Sequence, residues 1–176
     1  MKKNKEGIKM SNPIIKIHVR DYGVMTAELY PDKAPKTVEN FLSLIKEDFF
    51  SGLIFHRVIA GFMIQGGGFT PTFDQKEAKS IYGEFRMNGF AQNDIKHTRG
   101  VLSMARTSMP NSASSQFFIM HKNSPHLDGS YAAFGCITEG LEIIDKIASV
   151  PTASYGYFGD VPTTPVVIEK MEIVEE

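Results

Sequence analysis

The chain has no tryptophan and a single cysteine among its 176 residues. One cysteine excludes an internal disulfide, so stability has to come from a packed core. Cys136 sits in the apolar run Phe134-Gly135-Cys136-Ile137 and is expected to be a buried small hydrophobe in a reducing, cytoplasmic setting. Charge of one sign is also missing: 19 Lys and Arg stand against 20 Asp and Glu, for a formal net charge of -1. No global field therefore recruits nucleic acid or an anionic membrane. No apolar run approaches the roughly 20 residues of a membrane span, and the lysine-rich start carries no h-region of a secretory signal. Met1 to Asn12 is polar and aperiodic and is expected to be a flexible tail. Residues 13–176 are then a single domain, and a chain of this size buries about 70% of the surface exposed by its unfolded form.

What the sequence does contain is short-period hydrophobic patterning. Ile15, Ile17 and Val19 alternate with Lys16 and His18, a turn follows at Asp21-Tyr22-Gly23, and Met25, Ala27 and Leu29 alternate beyond it. This pattern predicts an opening β-hairpin. Pro35 then starts a helix whose stripe is Val38, Phe41, Leu42 and Ile45, with Lys36, Glu39 and Lys46 outside. A second helix is expected from about Gly140 to Ala148, with Leu141, Ile144, Ile147 and Ala148 inward. Further strands are expected at Ile54–Ile59, Met63–Gln65, Val101–Ala105, Gln116–Met120, Ala132–Ile137 and Val166–Val174, and Pro151 to Pro165 reads as a long loop. Many short strands with two helices predict a mainly β fold, a closed antiparallel barrel, because closure removes exposed edges.

Several strands are apolar on both faces, although a barrel strand facing water should alternate hydrophobic-in and polar-out. A period of two places Met63 with Gln65 and Gln116 with Phe118, while Ile64, Phe117 and Ile119 fill the interior. It likewise turns Val58 inward and Arg57 outward. An external groove with apolar walls, two amides and one guanidinium suits a neutral peptide-like ligand better than a phosphate or a sugar. Taken singly, Arg57 and both glutamines also fit ordinary exposed positions; only their joint pattern singles them out. Gly66-Gly67-Gly68 lacks the Lys-Ser/Thr ending of a phosphate loop and reads as a tight turn. The five histidines are scattered, and His121 to His126 is not a zinc spacing, so no metal is expected.

The segment Phe55-His56-Arg57-Val58-Ile59-Ala60-Gly61-Phe62-Met63-Ile64-Gln65-Gly66-Gly67 closely resembles the signature of the cyclophilin family of peptidyl-prolyl isomerases. So do Lys79 to Glu84, His97 to Ala105, Ser115 to Ile119 and Leu127-Asp128-Gly129, and the resemblance runs from about Ile14 to Val174. It implies an eight-stranded barrel capped by two helices, no cofactor, and a groove for Xaa-Pro segments. By the same resemblance Arg57 is the catalytic residue, and Phe62, Met63, Phe118 and Leu127 line the proline pocket. Gln65 and Gln116 position the peptide, and the backbone of Ala105, Arg106 and Thr107 pairs with residues before proline. His126 stands where many members carry tryptophan, and Tyr131 stands where many carry histidine but bacterial-type members carry tyrosine. Both belong to the groove rim, and cyclosporin binding is expected to be weak. The segment Thr70 to Ala78 lacks the family's glycines, so the loop beside the groove is expected to differ in shape. The expected partners are proline-containing peptides and unfolded or folded protein clients, with the chain acting as a monomer. The competing readings are a proline-peptide-binding module without turnover, and a scaffold or assembly subunit using Met1 to Asn12 or the loop Tyr155-Gly156-Tyr157-Phe158-Gly159.

Overall fold

The computed structural model describes residues 12–176. The expected tail lies outside the described residues except for Asn12, which is half-buried. The chain runs through β1 (Ile14–Val19), β2 (Gly23–Leu29), α1 (Pro35–Lys46), β3 (Arg57–Ile59), β4 (Met63–Gly66), β5 (Val101–Met104) and β6 (Phe117–Met120). It continues through β7 (Ala133–Glu139), α2 (Leu141–Ala148), β8 (Thr152–Tyr155), β9 (Phe158–Pro162) and β10 (Ile168–Glu175). The opening hairpin forms as its alternation predicts, with Ile15 opposite Ala27 and Ile17 opposite Met25. Asp21 at φ 68° and Gly23 at φ 124° make the tight turn. Both positions lie in the left-handed region, which short polar residues and glycine tolerate best.

Eight strands form one curled antiparallel sheet in the order β10-β1-β2-β7-β5-β6-β4-β3. Its end strands, β3 and β10, do not pair, so the closed barrel expected from the sequence is corrected to an open, curled sheet with two helices. The irregular segment before β3 spans the gap: Gly52 N–H donates to the Ile168 carbonyl (2.8 Å), Ile168 N–H to Leu53 (2.8 Å), and Phe55 N–H to Val166 (2.9 Å). Ile54 N–H turns away instead, to the Phe69 carbonyl at 2.9 Å. Backbone groups that divide their bonds between two partners cannot hold a regular ladder. For that reason the strand expected over Ile54–Ile59 is only Arg57–Ile59.

The concave side of the sheet holds a single aromatic-rich core. Phe117 meets Phe41, Phe50 and Phe55 edge-on at centroid distances of 5.4, 5.8 and 5.9 Å, the arrangement ring quadrupoles favour. Helix α1 buries Val38, Phe41, Leu42 and Ile45 there and leaves Lys36, Glu39 and Lys46 exposed. Helix α2 adds Ile143, Ile144, Ile147 and Ala148. Ile64 and Ile119 are fully buried in this core, as strand alternation predicts.

A second, smaller cluster lies on the other face of β4, β5, β6 and β7. Met63, Val101, Phe118, Met120, Leu127 and Ala133 form it, with Phe62, Ala105, Tyr131 and the half-buried Cys136 against its edge. This cluster explains why those strands are apolar on both faces. The other correction concerns Pro151 to Pro165, read as a loop from its prolines and glycines; it contains the two-stranded hairpin β8–β9. All four residues of β8 are exposed, so no in–out alternation marks the strand. Among the described residues no helix is long and apolar enough to cross a membrane.

Candidate active site

Three neighbouring strands bring the site together. In β3 and β4, Arg57 lies opposite Gln65, and β4 then sets Gln65 beside Phe118 of β6. Cross-strand partners project to the same face, so the guanidinium, the amide and the phenyl ring share the outer surface while Val58 and Ile64 point into the core. A cavity of about 140 Å³ opens there, lined by Arg57, Phe62, Met63, Gln65, Ala105, Arg106, Phe118, Leu127 and Tyr131. A second cavity of about 220 Å³ adjoins it through Gln65, Ala105 and Arg106 and extends to Gln75, Thr107 and Gln116. The structure thus gathers eleven of the twelve residues that the sequence singles out. His126 lines neither cavity; it is exposed, with its ring 5.8 Å from that of Phe62.

A polar relay runs along one wall. Arg57 Nη1 donates to Gln65 Oε1 at 3.4 Å, and Gln65 Nε2 donates to Gln116 Oε1 at 3.1 Å. The orientation of Gln65 is thereby set at both ends. A β-carbon on Gly68 would stand 2.6 Å from the Gln116 side chain, so only glycine there leaves Gln116 its place.

The opposite wall is built around Arg106. Its guanidinium lies between the rings of Phe85 (4.7 Å) and Tyr131 (4.6 Å), and Nη2 and Nε donate to the Ser130 carbonyl at 2.6 and 3.2 Å. A cation held between two rings fixes both of them. The backbone expected to pair with a peptide is partly committed already. Ala105 N–H donates to the Gln116 carbonyl at 3.0 Å, and Thr107 N–H to Ser112 Oγ at 3.0 Å. The contacts of Arg106 and Thr107 are not legible from sequence, because Ser112, Ser130 and Phe85 lie in loops without periodicity.

Two networks support the pocket, one buried and one at the surface. The His97 ring stacks on Phe118 (6.0 Å, 20°), with Nε2 2.9 Å from Ser103 Oγ and Nδ1 3.2 Å from Asp128 Oδ1. Burial holds this imidazole below its ordinary pKa, with Asp128 opposing. At 1% exposure it positions Phe118 and cannot reach a ligand. On the other side, Gly61 N–H donates to His121 Nδ1 at 2.9 Å, so Nε2 carries the proton toward Asp145 Oδ1, 3.0 Å away. Arg99 grips the same carboxylate at 2.7 and 2.9 Å and holds its pKa down. Because His121 N–H also binds the Phe62 carbonyl at 2.9 Å, this network anchors the turn that presents Phe62.

His56, beside Arg57 in sequence, lines neither cavity. Its ring lies 4.7 Å from Phe69 and 6.1 Å from Phe158, and its Nδ1 is buried without a partner among the described residues. Burial, reinforced by the Arg57 charge, lowers its pKa to about 4. The unfolded chain keeps the ordinary value of about 6.5, so between those limits it binds more protons than the folded chain. Stability therefore rises with pH across this window and is lost as pH falls through it. The expected loss from about pH 7.5 to about pH 4.5 is about 2 kcal/mol from this residue. Urea unfolding of the wild type and of His56→Phe at both pH values checks this: the variant should show the smaller difference, and an equal difference refutes the assignment.

Among the described residues no three His, Cys, Asp or Glu side chains converge as a metal site requires. What remains is a cavity with apolar walls and two guanidiniums, Arg57 and the ring-held Arg106.

Comparison with known proteins gives this arrangement a family. Residues 14–173 match the model of the family described as cyclophilin type peptidyl-prolyl cis-trans isomerase/CLD. A peptidyl-prolyl cis-trans isomerase of Acinetobacter baylyi is 46% identical over 86% of this chain and 80% of its own length. Peptidyl-prolyl cis-trans isomerase B of Escherichia coli is 41% identical over 88% of this chain and 96% of its own. Among solved structures, a cyclophilin type isomerase of Cryptosporidium parvum, crystallised in the presence of the dipeptide Ala-Pro, superposes with a TM-score of 0.79. It is 30% identical, covering 93% of this chain and 99% of that one. The chain belongs to the cyclophilin-type peptidyl-prolyl cis-trans isomerase family, and it is an enzyme that speeds rotation about the peptide bond preceding proline.

Proposed function

We propose that the cavity bounded by Phe62, Met63, Phe118 and Leu127 seats the proline ring of a client and that Arg57 is the catalytic residue. The observation that carries this reading is the guanidinium at the mouth of an apolar cavity, tied to Gln65. Rotation about an Xaa-Pro bond meets a barrier of about 18 to 20 kcal/mol because the partial double bond must twist. In the twisted amide the nitrogen lone pair no longer delocalises into the carbonyl and becomes a hydrogen-bond acceptor. Arg57, whose guanidinium carries only donors, donates to that nitrogen. The planar ground state offers no such acceptor, so the interaction favours the transition state alone and raises turnover. No bond breaks and no proton is transferred.

Gln65 and Gln116 hold the flanking peptide, the relay leaving the Gln116 Nε2 hydrogens for a client carbonyl. With the Ala105 and Thr107 N–H groups committed, the Arg106 N–H is the donor left for the residues before proline. Tyr131 and His126 form the rim. An exposed imidazole at the rim gives less surface than an indole and no indole N–H, which supports weak cyclosporin binding. The clients are proline-containing segments of unfolded or folded proteins, and the chain acts as a monomeric single domain in the cytoplasm.

Mapping amide shifts on titration with a short Xaa-Pro peptide tests the groove. The largest changes are expected at Phe62, Met63, Ala105, Arg106, Phe118, Leu127 and Tyr131. A map centred elsewhere overturns the assignment.

A further inference from the structure

Hairpin β8–β9 displays more aromatic surface than its own stability needs. Tyr157 at its tip is fully exposed (107%), Tyr155 is 53% exposed and Phe158 37%. An isolated exposed ring needs no explanation, but a contiguous aromatic patch on a soluble domain marks a contact surface. Two of its three rings are packed in place. Tyr155 stacks on Phe73 with centroids 4.5 Å apart and planes at 23°, and Phe158 lies 5.2 Å from both Phe69 and Phe73.

Both of its mountings adjoin elements that supply groove residues. Strand β9 lies against β3, the sheet's end strand and the one that carries Arg57. Phe73 belongs to the loop whose Gln75 lines the outer cavity. The patch therefore adjoins the strand and the loop that supply Arg57 and Gln75 to the groove. The outer edge of β8 pairs with no other strand among the described residues, so its backbone is also open to an extended chain.

We infer that hairpin β8–β9 is a second docking surface for the client whose proline occupies the groove, taking an aromatic or apolar side chain of the same extended segment. This rests on the groove being the peptide site. Continuity favours a client over a second copy of the protein: the two cavities, of about 140 and 220 Å³, hold little beyond the proline and its nearest neighbours, and the next part of a longer chain passes the hairpin. Stiff aromatic rings bind such a chain at low entropic cost.

The test uses the full chain and two peptides sharing one Xaa-Pro core, the longer carrying a phenylalanine several residues from the proline. In the wild type the longer peptide should bind about five- to tenfold more tightly, the scale of one well-placed aromatic anchor. In Tyr157→Ser, and in the double variant Tyr155→Ser/Tyr157→Ser, that ratio should fall to about one. An unchanged ratio in the folded variants, or no advantage in the wild type, overturns the inference. So does a wild-type dimer in sedimentation velocity that Tyr157→Ser dissociates, since the patch then belongs to a second copy. Turnover of the short peptide by the wild type reads out the groove separately; its absence counts against the proposed site, whereas turnover with an unchanged ratio counts against the hairpin alone.

Discussion

Arg57→Ala is expected to lower kcat/KM on a short Xaa-Pro peptide by about 10²- to 10³-fold, the scale of losing one preorganised transition-state donor. Arg57 is exposed and its one side-chain bond, to Gln65, is long at 3.4 Å. Its removal should therefore change stability by less than about 0.5 kcal/mol. The loss should appear in kcat rather than KM, because a planar bound peptide offers the guanidinium no acceptor at nitrogen. Arg57→Lys separates charge from shape. It keeps the cation but loses the planar fork that spans Gln65 and the reacting nitrogen, and it should recover only a minor part of the rate. Two-dimensional exchange NMR on the peptide, with a urea melt of each variant, provides both readouts. Wild-type kcat in Arg57→Ala would sink the mechanism, and a parallel fall in stability would recast the residue as structural.

The largest effect on stability is expected at Glu84. Helix α1 begins after Ala34, which has no side chain to cap it, and yet its first amides lie where water is scarce. Glu84, 1% exposed, fills that role from 47 residues away: Oε1 accepts from Thr37 N–H at 2.7 Å and from the Thr37 hydroxyl at 2.6 Å, and Oε2 from Lys36 N–H at 3.2 Å. A carboxylate at a helix N-terminus gains from the macrodipole as well as from the bonds themselves. Glu84→Ala strands these donors and should cost about 3 kcal/mol. For a chain of this length that corresponds to a fall in Tm of about 10 °C. Glu84→Gln keeps one acceptor for Thr37 but sets an N–H against Lys36, so it should lose about half as much. Calorimetry of the two variants decides the point, and a Tm unchanged in Glu84→Ala refutes the capping role. Because Phe41 on α1 packs against Phe50 and Phe134 at 5.0 and 4.9 Å, loosening the helix start should also loosen the core.

The sequence carries these two residues very differently. Arg57 is legible because β3, β4 and β6 are regular where they meet, so a period of two sorts Arg57 and Gln65 from Val58 and Ile64. Glu84 stands out only within a family-like motif, since its partners lie on a helix distant in sequence and no periodicity links them. The same limit hides the cradle of Arg106, assembled from Phe85, Ser130 and Tyr131. The hairpin β8–β9 escapes notice because a strand exposed on both faces has no hydrophobic alternation, and its prolines and glycines read as loop. Closure of the sheet is misjudged for a different reason. Leu53, Ile54 and Phe55 are as apolar as strand residues, and only the direction of their hydrogen bonds shows that they bridge an open seam.

The sheet order has a consequence for how the domain folds. Strand β1 lies between β2 and β10, and its outer edge pairs from Ile14 opposite Glu175 to Val19 opposite Ile168. Until β10 docks, Ile15, Ile17 and Val19 sit on a ladder with one open side, the kind of edge that recruits wrong partners. Pairings between segments far apart in sequence are also the slowest to form. The hairpin that opens the fold is thus left with an unprotected flank until the most distant strand of the sheet reaches it.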